Sequence, residues 1–139
     1  MAPDALANLH ARCFATPRPW SASEFAALLD SRGCFLLSED HGFLLGRVIA
    51  DEAELLTLAV DPDARRAGTG RRLVARFAGR ARDLGAVEAF LEVASDNLAA
   101  RALYSCTDWV EAGVRRDYYA PGTDAIVMRL TLRAAQKGG

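Results

Sequence analysis

Leu55-Leu56-Thr57-Leu58-Ala59-Val60-Asp61-Pro62, followed shortly by Arg65-Arg66-Ala67-Gly68-Thr69-Gly70-Arg71, decides how the chain is read. The first run is apolar and strand-like. The second is a short glycine turn opening onto a helical pattern from Arg71 to Leu84. The first N–H groups of a helix have no partner within it, so a helix start is a ready anion site. Glycines at 68 and 70 let the backbone turn tightly and approach a ligand. Strand, turn and helix together predict a cradle for a pyrophosphate.

The elements around this unit follow from local signals. A helix is predicted from Asp4 to Phe14, broken by Thr16-Pro17-Arg18-Pro19. Ser21 and Glu24 form a capping box, with Trp20 and Phe25 placed as a hydrophobic staple, and that helix runs to Ser31 and stops near Gly33. Cys34–Glu39 and Phe43–Ala50 read as a hairpin around Asp40-His41-Gly42, and Ala53–Val60 as a third strand. Leu73, Val74, Phe77, Ala81 and Leu84 make one apolar stripe on the long helix, which Gly85 ends. Glu88–Val93 is a fourth strand, parallel to the third because a helix connects them. Asp96-Asn97 caps a helix reaching Cys106. Trp109–Tyr119 and Ala125–Leu132 are the last strands, and Ala134–Gly139 a frayed tail.

At 139 residues and 51% hydrophobic content the chain makes one domain, 1–139, with a real core. Its net charge of −1 gives no global reason to expect a nucleic-acid or membrane partner. Cys13, Cys34 and Cys106 lack a C-x-x-C pair and imply neither a disulfide framework nor a metal site; they read as buried, reduced thiols. Met1-Ala2-Pro3-Asp4 does not look like a secretion signal, so a cytoplasmic location is expected. His10 and His41 read as surface residues.

A nucleotide-binding P-loop needs Gly-Lys and Ser or Thr after the turn, whereas Gly70 is followed by Arg71-Arg72. A dinucleotide fingerprint needs a third small residue where Leu73 stands, and the order of elements is wrong for that fold. The pattern Arg65-x-x-Gly68-x-Gly70, with Leu58-Ala59-Val60 before it and Leu91-Glu92-Val93, Asn97, Ala99-Ala100 and Leu103-Tyr104 after it, resembles the GCN5-related N-acetyltransferases (GNAT). Pro19-Trp20-Ser21, Arg115-Arg116-Asp117-Tyr118-Tyr119 and Asp124-Ala125-Ile126-Val127-Met128 look like one branch, the bacterial ribosomal-protein alanine N-acetyltransferases of the RimI type. One departure is Asp108-Trp109 where the family usually has Gly-Phe; Asp can take the left-handed conformation at some cost.

The resemblance implies an α/β (α+β) GNAT fold: a mixed, mostly antiparallel central sheet, a splayed parallel strand pair, and helices on both faces. It implies acetyl-CoA as cosubstrate, no metal, and an N-terminal alanine of a small-subunit ribosomal protein as acceptor. The pyrophosphate would lie on Arg65, Arg66, Ala67, Gly68, Thr69, Gly70 and Arg71, and the pantetheine arm would pair with Leu58, Ala59 and Val60. Glu92 would be the general base, although a structural ion pair with an arginine is the plainer account. Tyr104 would protonate the departing thiolate, or be a core tyrosine. Asn97 would contact the cofactor, cap its helix, or both. Tyr118 and Tyr119 would wall the peptide site, or simply pack. The acceptor class has support from chemistry: an α-amine (pKa about 7.7–8.0) is neutral at pH 7 roughly 200 to 400 times more often than a lysine (pKa about 10.4). Acetylation of a lysine or small amine, and non-catalytic acyl-CoA binding, are the alternatives.

Overall fold

The computed structural model describes residues 1–14, 18–64 and 67–132. Expectations for Arg65, Arg66 and the tail from Ala134 lie outside them. The elements follow the expected order: α1 (Pro3–Cys13), α2 (Ala22–Leu29), β1 (Cys34–Glu39), β2 (Gly42–Ile49), β3 (Glu52–Val60), α3 (Thr69–Asp83), β4 (Glu88–Ala94), α4 (Leu98–Ser105), β5 (Val110–Ala120) and β6 (Thr123–Thr131). The six strands form one sheet in the order β1-β2-β3-β4-β6-β5. Every pairing is antiparallel except β3 with β4. Among the described residues no helix is long and apolar enough to cross a membrane.

Local signals account for the ends of the helices. The Ser21–Glu24 capping box forms in both directions, and the Trp20 and Phe25 rings lie 5.5 Å apart as the staple. Asp108 takes φ 78°, the left-handed stop expected of it. The Trp109 ring that follows is buried and stacks on Phe77 at 6.1 Å. The stripe on α3 is one residue shorter than expected: Leu73, Val74, Phe77 and Ala81 are buried, but Leu84 is 47% exposed because it sits past the last helical turn.

Helices cover both faces of the sheet. One core packs α3 and Tyr104 of α4 against β1 to β4 and β6. A smaller core packs Leu6 and Leu9 of α1 and Phe25 of α2 against Phe43, Leu45 and Ala59. A bulge decides which part of β3 belongs to which. Leu45 pairs with Thr57 but Gly46 pairs with Leu55, so Leu56 is an extra residue in β3. The extra residue inverts the alternation. Ala53 and Leu55 face the α3 core, whereas Ala59 faces the α1 core.

β3 and β4 pair only through Glu52–Glu88, Ala53–Ala89 and Glu54–Phe90. Beyond these residues the strands part, while β3 runs on to Val60 and β4 to Ala94. The opening between them holds the candidate site.

Candidate active site

Two adjoining cavities occupy the opening. The larger, about 750 Å³, lies between the end of β3, the start of α3 and α4. The smaller, about 320 Å³, lies between β3, β4, the α1 side and the β5–β6 hairpin. Phe14, Leu58, Asn97 and Ala100 line both, so the cavities meet at those residues.

A helix start and a strand edge border the larger cavity. Gly68 caps α3 at φ 83°, a conformation that strains any residue with a Cβ. The first bond into the helix runs from the Arg72 N–H to the Gly68 carbonyl, 3.0 Å. The N–H groups of Thr69, Gly70 and Arg71 therefore precede the helical ladder, and all three residues line the cavity. The helix starts two residues earlier than expected and takes Gly70 into its first turn. There a Cβ would lie 3.1 Å from the Leu103 side chain, so glycine lets α3 pack closely on α4 without displacing that leucine.

On β3 the Asp61 N–H donates to the His41 carbonyl at 2.7 Å. Alternation along an antiparallel pair then ties Ala59 to β2 and turns the main-chain groups of Leu58 and Val60 toward the open edge. Leu58 and Val60 line the cavity, and the Cys13 thiol donates to the Val60 carbonyl at 3.3 Å. Ala59 corrects the expectation: its side chain is buried in the α1 core and it lines neither cavity. Ala67 lines neither cavity too; its carbonyl accepts from the Arg72 guanidinium instead. Arg71 lines the larger cavity with its guanidinium on the Cys106 sulfur, 3.3 Å away. Asn97 caps its helix, its Oδ1 accepting the Ala100 N–H at 3.2 Å, and it stands where the cavities join.

Side chains make the smaller cavity. Glu92 reaches it from β4, in the alternation that buries Leu91 and Val93 on the other face. The plainer reading of Glu92 is also present, because Arg115 Nε lies 2.6 Å from its carboxylate. The Arg115 guanidinium in turn sits over the Tyr118 ring at 5.3 Å. Tyr104 is 6% exposed and lines the cavity from α4, its ring 5.9 Å from Trp109. Its hydroxyl has no hydrogen-bond partner among the described residues. Burial raises its pKa well above the usual phenol value, helped by Tyr119. Tyr104 thus keeps its proton at neutral pH.

Tyr118 and Tyr119 arrive through a second irregularity. Arg115 pairs with Ala125, and the next pair is Ala120 with Thr123, so four residues of β5 loop out. Asp117 makes the loop possible with φ 53°. Its N–H donates to Asp124 and its carboxylate accepts from the Gly122 N–H, both at 2.8 Å. The Tyr119 pKa is pushed up to about 12, chiefly by burial and then by the Glu92 charge.

Sequence reasoning missed His10. It is 1% exposed, not a surface residue, and lines the smaller cavity. A signal was present: Leu6, Leu9, His10 and Cys13 share the i, i+3, i+4, i+7 stripe of α1. The cysteines also depart from expectation, since Cys106 is exposed and Cys13 and Cys34 are only partly buried.

The class follows from sequence comparison together with this fold. Residues 4–107 match the Acetyltransferase (GNAT) family, and the chain belongs to it. Among curated relatives, the [Ribosomal protein bS18]-alanine N-acetyltransferase of Escherichia coli (strain K12) is 38% identical over 122 residues, 82% of each chain. The N-alpha-acetyltransferase RimI of Mycobacterium tuberculosis is 37% identical over 133 residues, 88% of this chain and 82% of that one. The crystal structure of the ribosomal-protein-S18-alanine N-acetyltransferase from E. coli superposes with a TM-score of 0.83 at 33% identity, covering 99% of this chain and 91% of the other.

Proposed function

We propose that this protein transfers the acetyl group of acetyl-CoA to the α-amine of an N-terminal alanine, on a small-subunit ribosomal protein of the bS18 type. The observation that carries the reading is the junction of the two cavities: an amide-lined groove on one side, a carboxylate and a phenol on the other. Acetyl-CoA supplies an activated acyl group as a thioester. The N–H groups of Thr69, Gly70 and Arg71 fit its diphosphate, since they are donors at a helix start that have no partner among the described residues. The free edge of β3 at Leu58 and Val60 fits the amide-bearing arm.

Glu92 takes a proton from the acceptor ammonium, directly or through one water, and leaves the amine nucleophilic. Arg115 holds that carboxylate in place. As the C–N bond forms and the C–S bond breaks, charge develops on sulfur. The nitrogen sheds its surplus proton to water as the amide forms, and Tyr104 donates an O–H hydrogen bond to the departing sulfur; its raised pKa keeps that proton on the phenol, where it stabilises the thiolate charge. Tyr118 and Tyr119 bound the space for the acceptor chain.

The test is mass spectrometry of an Ala-starting ribosomal N-terminal peptide incubated with the protein and acetyl-CoA. The expected product carries one acetyl group on the α-nitrogen. Modification of an internal lysine alone, or of small amines but no such peptide, overturns the reading.

A further inference from the structure

The best-defined polar group near the acceptor cavity that the chemistry above leaves unused is His10. Its Nδ1 accepts the Trp20 main-chain N–H at 3.1 Å. Its Nε2 lies 3.0 Å from Thr57 Oγ1. A nitrogen that accepts carries no proton, so the ring is the Nε2–H tautomer and Nε2 donates to Thr57. Both ring nitrogens are used, in one tautomer and one orientation. The ring also stacks on Phe14 at 4.4 Å and Trp20 at 5.1 Å, with Phe25 edge-on at 5.4 Å. Phe14 and Trp20 are themselves cavity walls.

We infer that His10 is a positioning residue for the acceptor: through Trp20 and Phe14 it fixes a wall of the cavity that Glu92 also lines. The β3 bulge makes this possible, because it turns Thr57 toward α1 to meet the ring. Protonation would turn Nδ1 into a donor facing the Trp20 N–H, so the clamp exists only with a neutral ring. Burial holds the pKa down at about 4, and Glu24 of α2, the charged group acting on the ring, opposes this only in part.

The inference rests on the acceptor assignment above, and two readouts separate the two. The first is steady-state kinetics with the Ala-starting peptide. His10→Gln keeps a donor near the Nε2 position and loses the acceptor for Trp20; His10→Asn keeps an acceptor near Nδ1. His10→Gln should raise the peptide KM about five- to tenfold, the effect of one lost buried hydrogen bond, with kcat and the acetyl-CoA KM within about twofold. His10→Asn should restore most of the peptide KM. The second readout is acrylamide quenching of Trp20 fluorescence in a Trp109→Phe background, which needs no acceptor. Quenching should rise with His10→Gln and not with His10→Asn.

Equal quenching and peptide KM in wild type and His10→Gln overturn the inference, as does His10→Asn behaving like His10→Gln. If His10→Gln does not fold, Thr57→Val replaces it. That variant leaves the Nε2–H without its acceptor and so loosens the ring, and should raise quenching and roughly double the peptide KM; no change in either overturns the clamp. If wild-type protein acetylates no Ala-starting peptide, the acceptor assignment falls, and quenching alone decides the role of His10.

Discussion

The two cavities that meet at Asn97 are built by opposite means. The groove offers the N–H and C=O of Leu58 and the N–H of Val60 at a strand edge, and the N–H groups of Thr69, Gly70 and Arg71 at a helix start. The smaller cavity, where the acceptor is proposed to bind, is lined by Glu92, Tyr104, Tyr119 and His10. A main-chain site suits a ligand that never varies, because backbone donors tolerate exchange of the side chains around them. A side-chain site can be refitted to a new acceptor one residue at a time. The comparison is sharpest where one side chain is removed from each half.

The largest effect belongs to Tyr104→Phe. Removing the hydroxyl leaves the buried ring and its contact with Trp109 in place but takes away the proposed donor for the departing sulfur. Turnover should fall about 100- to 1,000-fold, the range for losing one hydrogen-bond donor to a developing charge. Acetyl-CoA affinity, measured by calorimetry, should stay within about twofold. An unchanged rate would remove Tyr104 from the chemistry, and a matching loss of cofactor affinity would erase the division between the halves.

Acid should separate them next. The groove amides do not titrate, whereas His10 has a pKa lowered from 6.5 to about 4. Below pH 6.5 the unfolded chain binds a proton at His10 that the folded chain refuses, so stability falls as pH drops from 6.5 and levels off near 4. The full difference is on the order of 3 kcal/mol. Urea titrations between these limits should show a steeper acid loss in wild type than in His10→Gln; parallel curves would mean the ring is not held neutral by the fold.

This division also explains what could be read from the residues. Gly68 and Gly70 announce the groove because backbone geometry is written locally: a left-handed cap and a close helix crossing each demand glycine within a few residues. Caps at Ser21, Asn97 and Asp108 were legible for the same reason. The acceptor cavity joins segments far apart in the chain. His10 meets Thr57 across 47 residues, and the meeting depends on a bulge at Leu56 that no turn residue marks. The same bulge explains Ala59. Alternation separates it from Leu58 and Val60 in any strand, but the extra residue decides the face it takes and buries it against α1. The outward loop of β5 is likewise set by Asp117 and Asp124 bonding across the hairpin, not by a glycine.

Gly68→Val tests the groove through its backbone. The new Cβ would sit in a left-handed conformation and 3.1 Å from Arg72 Nη1. Strain of about 1–3 kcal/mol tilts the cap and the first N–H groups with it. Acetyl-CoA affinity should weaken by about tenfold or more, with turnover at saturating cofactor nearly kept. Normal affinity would place the diphosphate elsewhere.

The smallest effect should come from Arg71→Gln, and it bears most directly on the comparison. Arg71 is exposed, lines the groove and rests its guanidinium on the Cys106 sulfur. Its charge faces the groove, yet its N–H belongs to the backbone and survives the substitution. If main-chain donors do the holding, losing an exposed, solvent-screened charge costs no more than about 1 kcal/mol. The acetyl-CoA dissociation constant should then rise about two- to fivefold, and the difference should shrink as salt screens the charge. A hundredfold loss that persists in high salt would mean that a side chain grips the cofactor, and that the groove, like the acceptor cavity, is built from side chains.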